Sequence, residues 1–107
     1  MSQMSTLDPA LFQEKAGQAA ALIRAMSNEH RLMILCQLGD AERSVGEIGQ
    51  TTPLSQSALS QHLAVLREQD LVATRRSGQQ IFYRIAHPVV LQLITVLGRH
   101  FCPDMFE

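Results

Sequence analysis

LSQSALSQHLAVLREQDLVATRRSGQQIFYRI, Leu54 to Ile85, is the stretch on which the fold turns. In its first part, Leu54–Glu68, no side chain is acidic or basic before Arg67 and Glu68, His62 aside. Leu59, Leu63 and Leu66 recur at spacings of three and four with Ala58 beside them, which makes one apolar helical stripe. Ser55 is a good N-cap for that helix. Gln56, Ser57, Ser60, Gln61 and Ala64 then share the outward side, while His62 falls between the two faces. Two β-prone runs follow, LVATRR and QIFYRI, joined by Ser77-Gly78-Gln79, the pattern of a hairpin. Phe82 and Tyr83 alternate with Ile81 and Ile85, so both aromatics are expected to pack rather than stack on bases.

The residues just upstream complete the motif. Ser44-Val45-Gly46-Glu47 has the capping-box spacing and places a short helix at about residues 45–51. Pro53 disfavours helical geometry at Thr52, so Thr51-Thr52-Pro53 makes a turn. Two helices joined by a short turn and followed by a basic hairpin describe a winged helix–turn–helix.

Farther out, Asp8-Pro9 opens a first helix that runs to about Met26, since Asp caps free N–H groups and Pro suits the first position. Its apolar residues are Leu11, Phe12, Ala16, Ala19, Ala20, Leu22 and Ile23, and the alanines permit close approach of a neighbour. Ser27 or Asn28 caps a second helix, HRLMILCQL, which ends near Gly39. Leu32, Ile34, Leu35 and Leu38 are its core positions, with Met33 and Cys36 on the flanks. A last helix, PVVLQLITVLGRHF, runs from Pro88 to about Cys102 and stops at Pro103. Val89, Val90, Leu91, Leu93, Ile94, Val96, Leu97 and Phe101 make it apolar on nearly every side. Such a helix needs cover on two sides, and a second subunit is the expected second cover. The expected architecture is mainly α (α+β): a winged helix–turn–helix of five helices with a two-stranded β-hairpin wing, forming a homodimer through the terminal helices. Residues 1–7 are expected to be a disordered N-terminal tail, 8–102 the domain and 103–107 a C-terminal tail.

Composition sets the class. The chain has 107 residues, 46% hydrophobic and 18% charged, as in one folded globular domain. It carries no membrane-length apolar run, and MSQMSTLDP lacks a signal-peptide pattern, so a cytoplasmic protein is expected. Its two cysteines are then expected to rest as thiols. The net charge of −1 hides an uneven distribution. Residues 1–50 hold four basic and six acidic side chains, whereas residues 51–86 hold Arg67, Arg75, Arg76 and Arg84 against Glu68 and Asp70. The basic segment coincides with the helix–turn–helix and hairpin.

The polar face and this local charge point to DNA. Gln bonds adenine bidentately, and Ser bonds base edges or phosphate. Ser55, Gln56, Ser57, Ser60 and Gln61 suit entry into a major groove, with His62 as a further contact and Arg75 and Arg76 reaching flanking phosphates or the minor groove. An ordinary solvated helix face is the alternative for the polar residues, and packing is the alternative for His62. No Ser–His–acid set, phosphate loop or metal constellation appears, so neither an enzyme nor a cofactor is expected. A winged fold used for protein binding is the competing class.

Over nearly its whole length the chain resembles the ArsR/SmtB family of dimeric winged-helix repressors. The matching pieces are AMSNEHRLMILCQL, SVGEIGQ, LSQSALSQHLAVLREQDLV and the wing ending in IFYRI. The resemblance implies a homodimer on an inverted-repeat operator in double-stranded DNA. Many members sense metals or metalloids, and such a repressor is the alternative reading. The thiolate site of the arsenic and cadmium sensors needs Cys-x-Cys, where this chain has ILCQLGD with Cys36 alone. The zinc site of the last helix needs Asp-x-His and a further His; here the positions fall on His87 and Val89, with only His100 matching. The pair that remains is Cys36 and Cys102. It resembles the BigR/SqrR/HlyU-like group, which implies a dithiol switch responding to sulfide, persulfide or oxidants. Inert packing is the alternative for a buried Cys.

Overall fold

The computed structural model describes residues 8–105, and the expected disordered tail at 1–7 lies outside them. Helix α1 spans Pro9–Met26, with the Asp8 side chain accepting from the Ala10 N–H at 3.0 Å. Helix α2 spans Glu29–Leu38; Asn28 is its cap, accepting from His30 and Arg31 at 2.9 and 3.1 Å. A two-residue strand β1, Arg43–Ser44, leads into α3, Val45–Gln50. Helix α4 spans Gln56–Glu68, strands β2 and β3 span Val72–Ser77 and Gln80–Ile85, and α5 spans Pro88–Phe101. Pro103–Met105 forms a 3-10 turn, where the sequence reading has only a tail.

Local chemistry sets these boundaries. The capping box forms: Glu47 N–H donates to Ser44 Oγ at 3.1 Å, and Ser44 N–H donates to Glu47 Oε1 at 2.8 Å. Ser55 Oγ accepts from the Ala58 N–H at 3.2 Å and starts α4. The hairpin turns at Gly78, whose φ of 62° is the left-handed region open to glycine.

The wing is a sheet of three strands, in the order β1-β3-β2. The expected hairpin is present, and β1 adds a third antiparallel strand through Arg43 opposite Tyr83 and Ser44 opposite Phe82. Two residues are too few to show a strand period in sequence. The addition matters because it ties the segment before α3 to the wing.

Ile34, Leu35 and Leu38 of α2 meet Ile48 of α3, Leu59, Leu63 and Leu66 of α4, and Val90 and Ile94 of α5 in one core. Ala25, Met26, Leu71, Val72 and Tyr83 close it, while Leu32 lies half-buried at its edge. Burying a side chain of the Leu or Ile class stabilises by about 1.5–3 kcal/mol, so α2, central to this cluster, organises the domain. Apolar faces remain open at both ends of the chain. Leu11, Phe12 and Ile23 of α1 and Val89, Val96, Leu97 and Phe101 of α5 are exposed, the last by 73%.

Candidate nucleic-acid interface and thiol pair

Helix α4 buries its leucine stripe and turns its amides and hydroxyls outward. Gln56, Ser57, Ser60, Gln61 and Ala64 are exposed. Ser55 is exposed too, but its hydroxyl is engaged as the cap and lies 3.3 Å from Ser57 Oγ. Set between α4 and the wing is an open cleft of about 550 Å³, lined by Ser60, Leu63, Ala64 and Arg67 on one side and Ile81 and Tyr83 on the other.

Strand register sorts the wing's arginines. Arg76 pairs with Ile81 and Thr74 with Tyr83, so Arg76 shares the cleft face with residues that line it. Arg75 pairs with Phe82 and Ala73 with Arg84, so Arg75 and Arg84 lie on the outer face. Arg76 is exposed near the tip, its Nε 3.4 Å from the Gly78 carbonyl. Arg75 is engaged elsewhere. Its Nε lies 3.1 Å from both carboxylate oxygens of Glu42, and Nη2 donates to Oε1 at 2.7 Å. The guanidinium also sits over the Phe82 ring, 4.8 Å from the centroid. Of the two arginines read from the sequence, one faces the cleft and one faces a carboxylate.

His62 lies half-buried at the back of α4. Its Nδ1 is 3.3 Å from Arg31 Nη1, and its ring centroid is 5.8 Å from that of His30. Arg31 Nε also donates to the Ala25 carbonyl at 2.6 Å, so one guanidinium joins α1, α2 and α4. Burial first, then the charges of Arg31 and His30, hold the His62 pKa below its ordinary 6.5. Neutral His62 offers Nδ1 as the acceptor Arg31 needs.

Helix α2 also holds the turn before α4. Gln37 Nε2 donates to Thr52 Oγ1 at 2.9 Å, and Thr52 Oγ1 donates to the Ile48 carbonyl at 2.5 Å. Thr51 Oγ1 bonds the Gln37 side-chain carbonyl as well. The sequence reading misses Arg31, Gln37, Glu42 and Thr52, because each acts on a residue distant along the chain.

Cys36, next to Gln37, is half-buried on α2, and Cys102 is exposed at the C-cap of α5; both are free thiols. Helices α2 and α5 pack together. Burial raises the Cys36 pKa, and a negative charge on Cys102 would raise it further. Among the described residues, no group of three or more His, Cys, Asp and Glu side chains could hold a metal ion. Nor is any helix among them long and apolar enough to cross a membrane.

A family model described as "Bacterial regulatory protein, arsR family" matches residues 28–74, from the cap of α2 into the wing. The transcriptional activator HlyU of Vibrio cholerae is 48% identical over 90 residues, covering 84% of this chain and 83% of that protein. The chain belongs to the ArsR family. As such it is a DNA-binding transcription regulator with a winged helix–turn–helix, and not an enzyme. The structure of reduced HlyU from Vibrio cholerae superposes on this ArsR protein with a TM-score of 0.82 at 47% identity, covering 85% of this chain and 96% of that one. The biofilm growth-associated repressor of Xylella fastidiosa is 42% identical over 90 residues, covering 84% of this chain and 79% of the repressor. A homodimeric winged helix–turn–helix DNA-binding domain from Mycobacterium bovis matches with a TM-score of 0.71 at 33% identity, over 82% of this chain and 85% of that one.

Proposed function

We propose that this ArsR-family protein is a homodimeric repressor of an inverted-repeat operator, released from DNA when Cys36 and Cys102 are oxidatively linked. The observation that carries the switch is the thiol pair across the α2–α5 contact, one sulfur exposed and the other half-buried with a raised pKa. The open apolar faces of α1 and α5 support the dimer, as does the homodimeric mycobacterial relative. Two α4 helices related by a two-fold axis would read half-sites about one helical turn apart, roughly 34–36 Å. Gln56, Ser57, Ser60 and Gln61 are the base-reading side chains in this account, and Arg76 is the wing's phosphate contact.

The chemistry follows from reactivity. Cys102 is the more exposed thiol and attacks first; Cys36, half-buried and with its pKa raised by burial, is the slower thiol and resolves. Cys102 thiolate attacks a sulfane sulfur of a polysulfide and expels a shorter sulfide chain. Cys36 then gives up its proton and its sulfur attacks Cys102 Sγ, expelling the attached sulfur as hydrosulfide and leaving a disulfide. Where two sulfurs are attached, attack on the first expels the second as hydrosulfide and leaves one sulfur bridging the cysteines. The polysulfide takes up the two electrons and ends as sulfide. Linking α2 to α5 acts next door on Gln37, which holds the turn before α4 through Thr51 and Thr52. The recognition helix thereby shifts against the dimer interface.

Reduced protein is expected to bind its operator and polysulfide-treated protein to release it. Cys36→Ser and Cys102→Ser should each bind yet ignore the treatment. Intact mass of treated wild type should show a two-hydrogen loss or added sulfur. If both single variants still release DNA on treatment, the dithiol switch is wrong.

A further inference from the structure

We propose that Glu42 masks the outer face of the wing, holding Arg75 where a DNA phosphate would otherwise bind and confining duplex binding to the cleft side. The inference rests on the reading of α4 and the wing as the DNA-binding surface. Arg75 is not a loose surface cation. Nε and Nη2 form a fork on the Glu42 carboxylate, the two-pronged geometry by which arginine also grips phosphate. Phe82 lies beneath the guanidinium, its ring centroid 4.8 Å from Arg75 Cζ. The pair is the one ion pair among the described residues, at 2.7 Å.

The carboxylate is delivered by structure. Glu42 immediately precedes β1, whose pairing of Arg43 with Tyr83 fixes that segment along β3. Arg43 Nε donates to the Gln37 carbonyl at 2.8 Å, which ties the same segment to α2. Glu42 also senses Arg84, the other outer-face arginine, and together Arg75 and Arg84 hold its carboxyl below the usual carboxylate range. One acidic residue thus faces both outer cations, whereas exposed Arg76 on the cleft face has no ion-pair partner among the described residues, only the Gly78 carbonyl near its Nε.

A mask on that face has a use. Each phosphate contact adds sequence-independent affinity and steepens the salt dependence by about 0.9. A wing cationic on both faces would hold any duplex, including in poses that keep α4 out of the groove. Covering the outer face lowers that background and leaves the readable pose.

The test needs no operator. Glu42→Gln, Arg75→Ala and the double variant are titrated onto a mixed-sequence duplex across a salt series. Glu42→Gln frees Arg75 and should bind severalfold tighter, its slope of log affinity against log salt steeper by about 0.9. Arg75→Ala alone should keep nearly the wild-type slope, because its partner is already Glu42. The double variant should lose the gain. A gain that persists without Arg75 would come from bulk charge and overturn the mask, as would a Glu42→Gln variant unchanged in affinity and slope. If the unsubstituted chain bound no duplex at all, the DNA-binding reading would fall, and the mask with it.

Discussion

Replacing Thr52 by Val probes the joint through which α2 controls the recognition helix. Thr52 is 4% exposed, and its hydroxyl both donates to the Ile48 carbonyl and accepts from Gln37. Valine keeps the shape and removes both bonds, each contributing about 0.5–1.5 kcal/mol net. The Ile48 carbonyl keeps the Thr51 N–H at 3.3 Å, and Gln37 is only half-buried, so neither is left fully orphaned. A buried methyl in place of the hydroxyl returns about 0.8 kcal/mol. The expected net loss is about 1 kcal/mol, a fall in Tm of roughly 4–8 °C for a domain of this size. Urea unfolding at fixed protein concentration should show a lower midpoint with an unchanged m value. In a double-mutant cycle with Gln37→Met, the coupling should be about 0.5–1.5 kcal/mol. DNA affinity should fall as well, since the turn aims α4. Stability within about 0.5 kcal/mol of wild type, together with zero coupling to Gln37, would refute the joint.

Gln61→Ala should cost about 1–3 kcal/mol on the operator and little on a scrambled duplex, measured by fluorescence anisotropy; equal losses on both would give Gln61 a positioning role. Arg76→Ala should weaken binding to all sequences and flatten the salt slope by about 0.9, and an unchanged slope would take the wing tip off the DNA. His62 titrates lower in the fold than its ordinary 6.5, so the unfolded chain takes up the proton first as pH falls. Stability should hold above about pH 6.5 and decline below it toward the folded pKa, and His62→Gln should flatten that part of the denaturation profile. Val96→Asp, at a position 65% exposed on α5, should leave the fold intact and shift light-scattering mass toward the monomer; an unchanged mass would remove this face from the dimer.

What is legible along the chain is what short-range chemistry decides. Asp8, Asn28, Ser44 and Ser55 cap helices through N–H groups two or three residues away, and Pro53 blocks helix within its own dipeptide. The leucine stripe of α4 follows from the 3.6-residue period alone, so the outward set of Gln56, Ser57, Ser60 and Gln61 can be read without coordinates. Partners are a different matter. Arg75 meets Glu42 across 33 positions and Arg31 meets His62 across 31, and nothing near either residue marks the other. From sequence, Arg75 and Arg76 look alike; strand alternation puts them on opposite faces, and only the register against β3 shows which face has the cleft. Cys36 and Cys102 are nominated as a pair by family resemblance, while their unequal burial is set by packing. Caps, periods and turns are local energies; charge partners, faces and burial depend on the path of the whole chain, which tertiary packing alone decides.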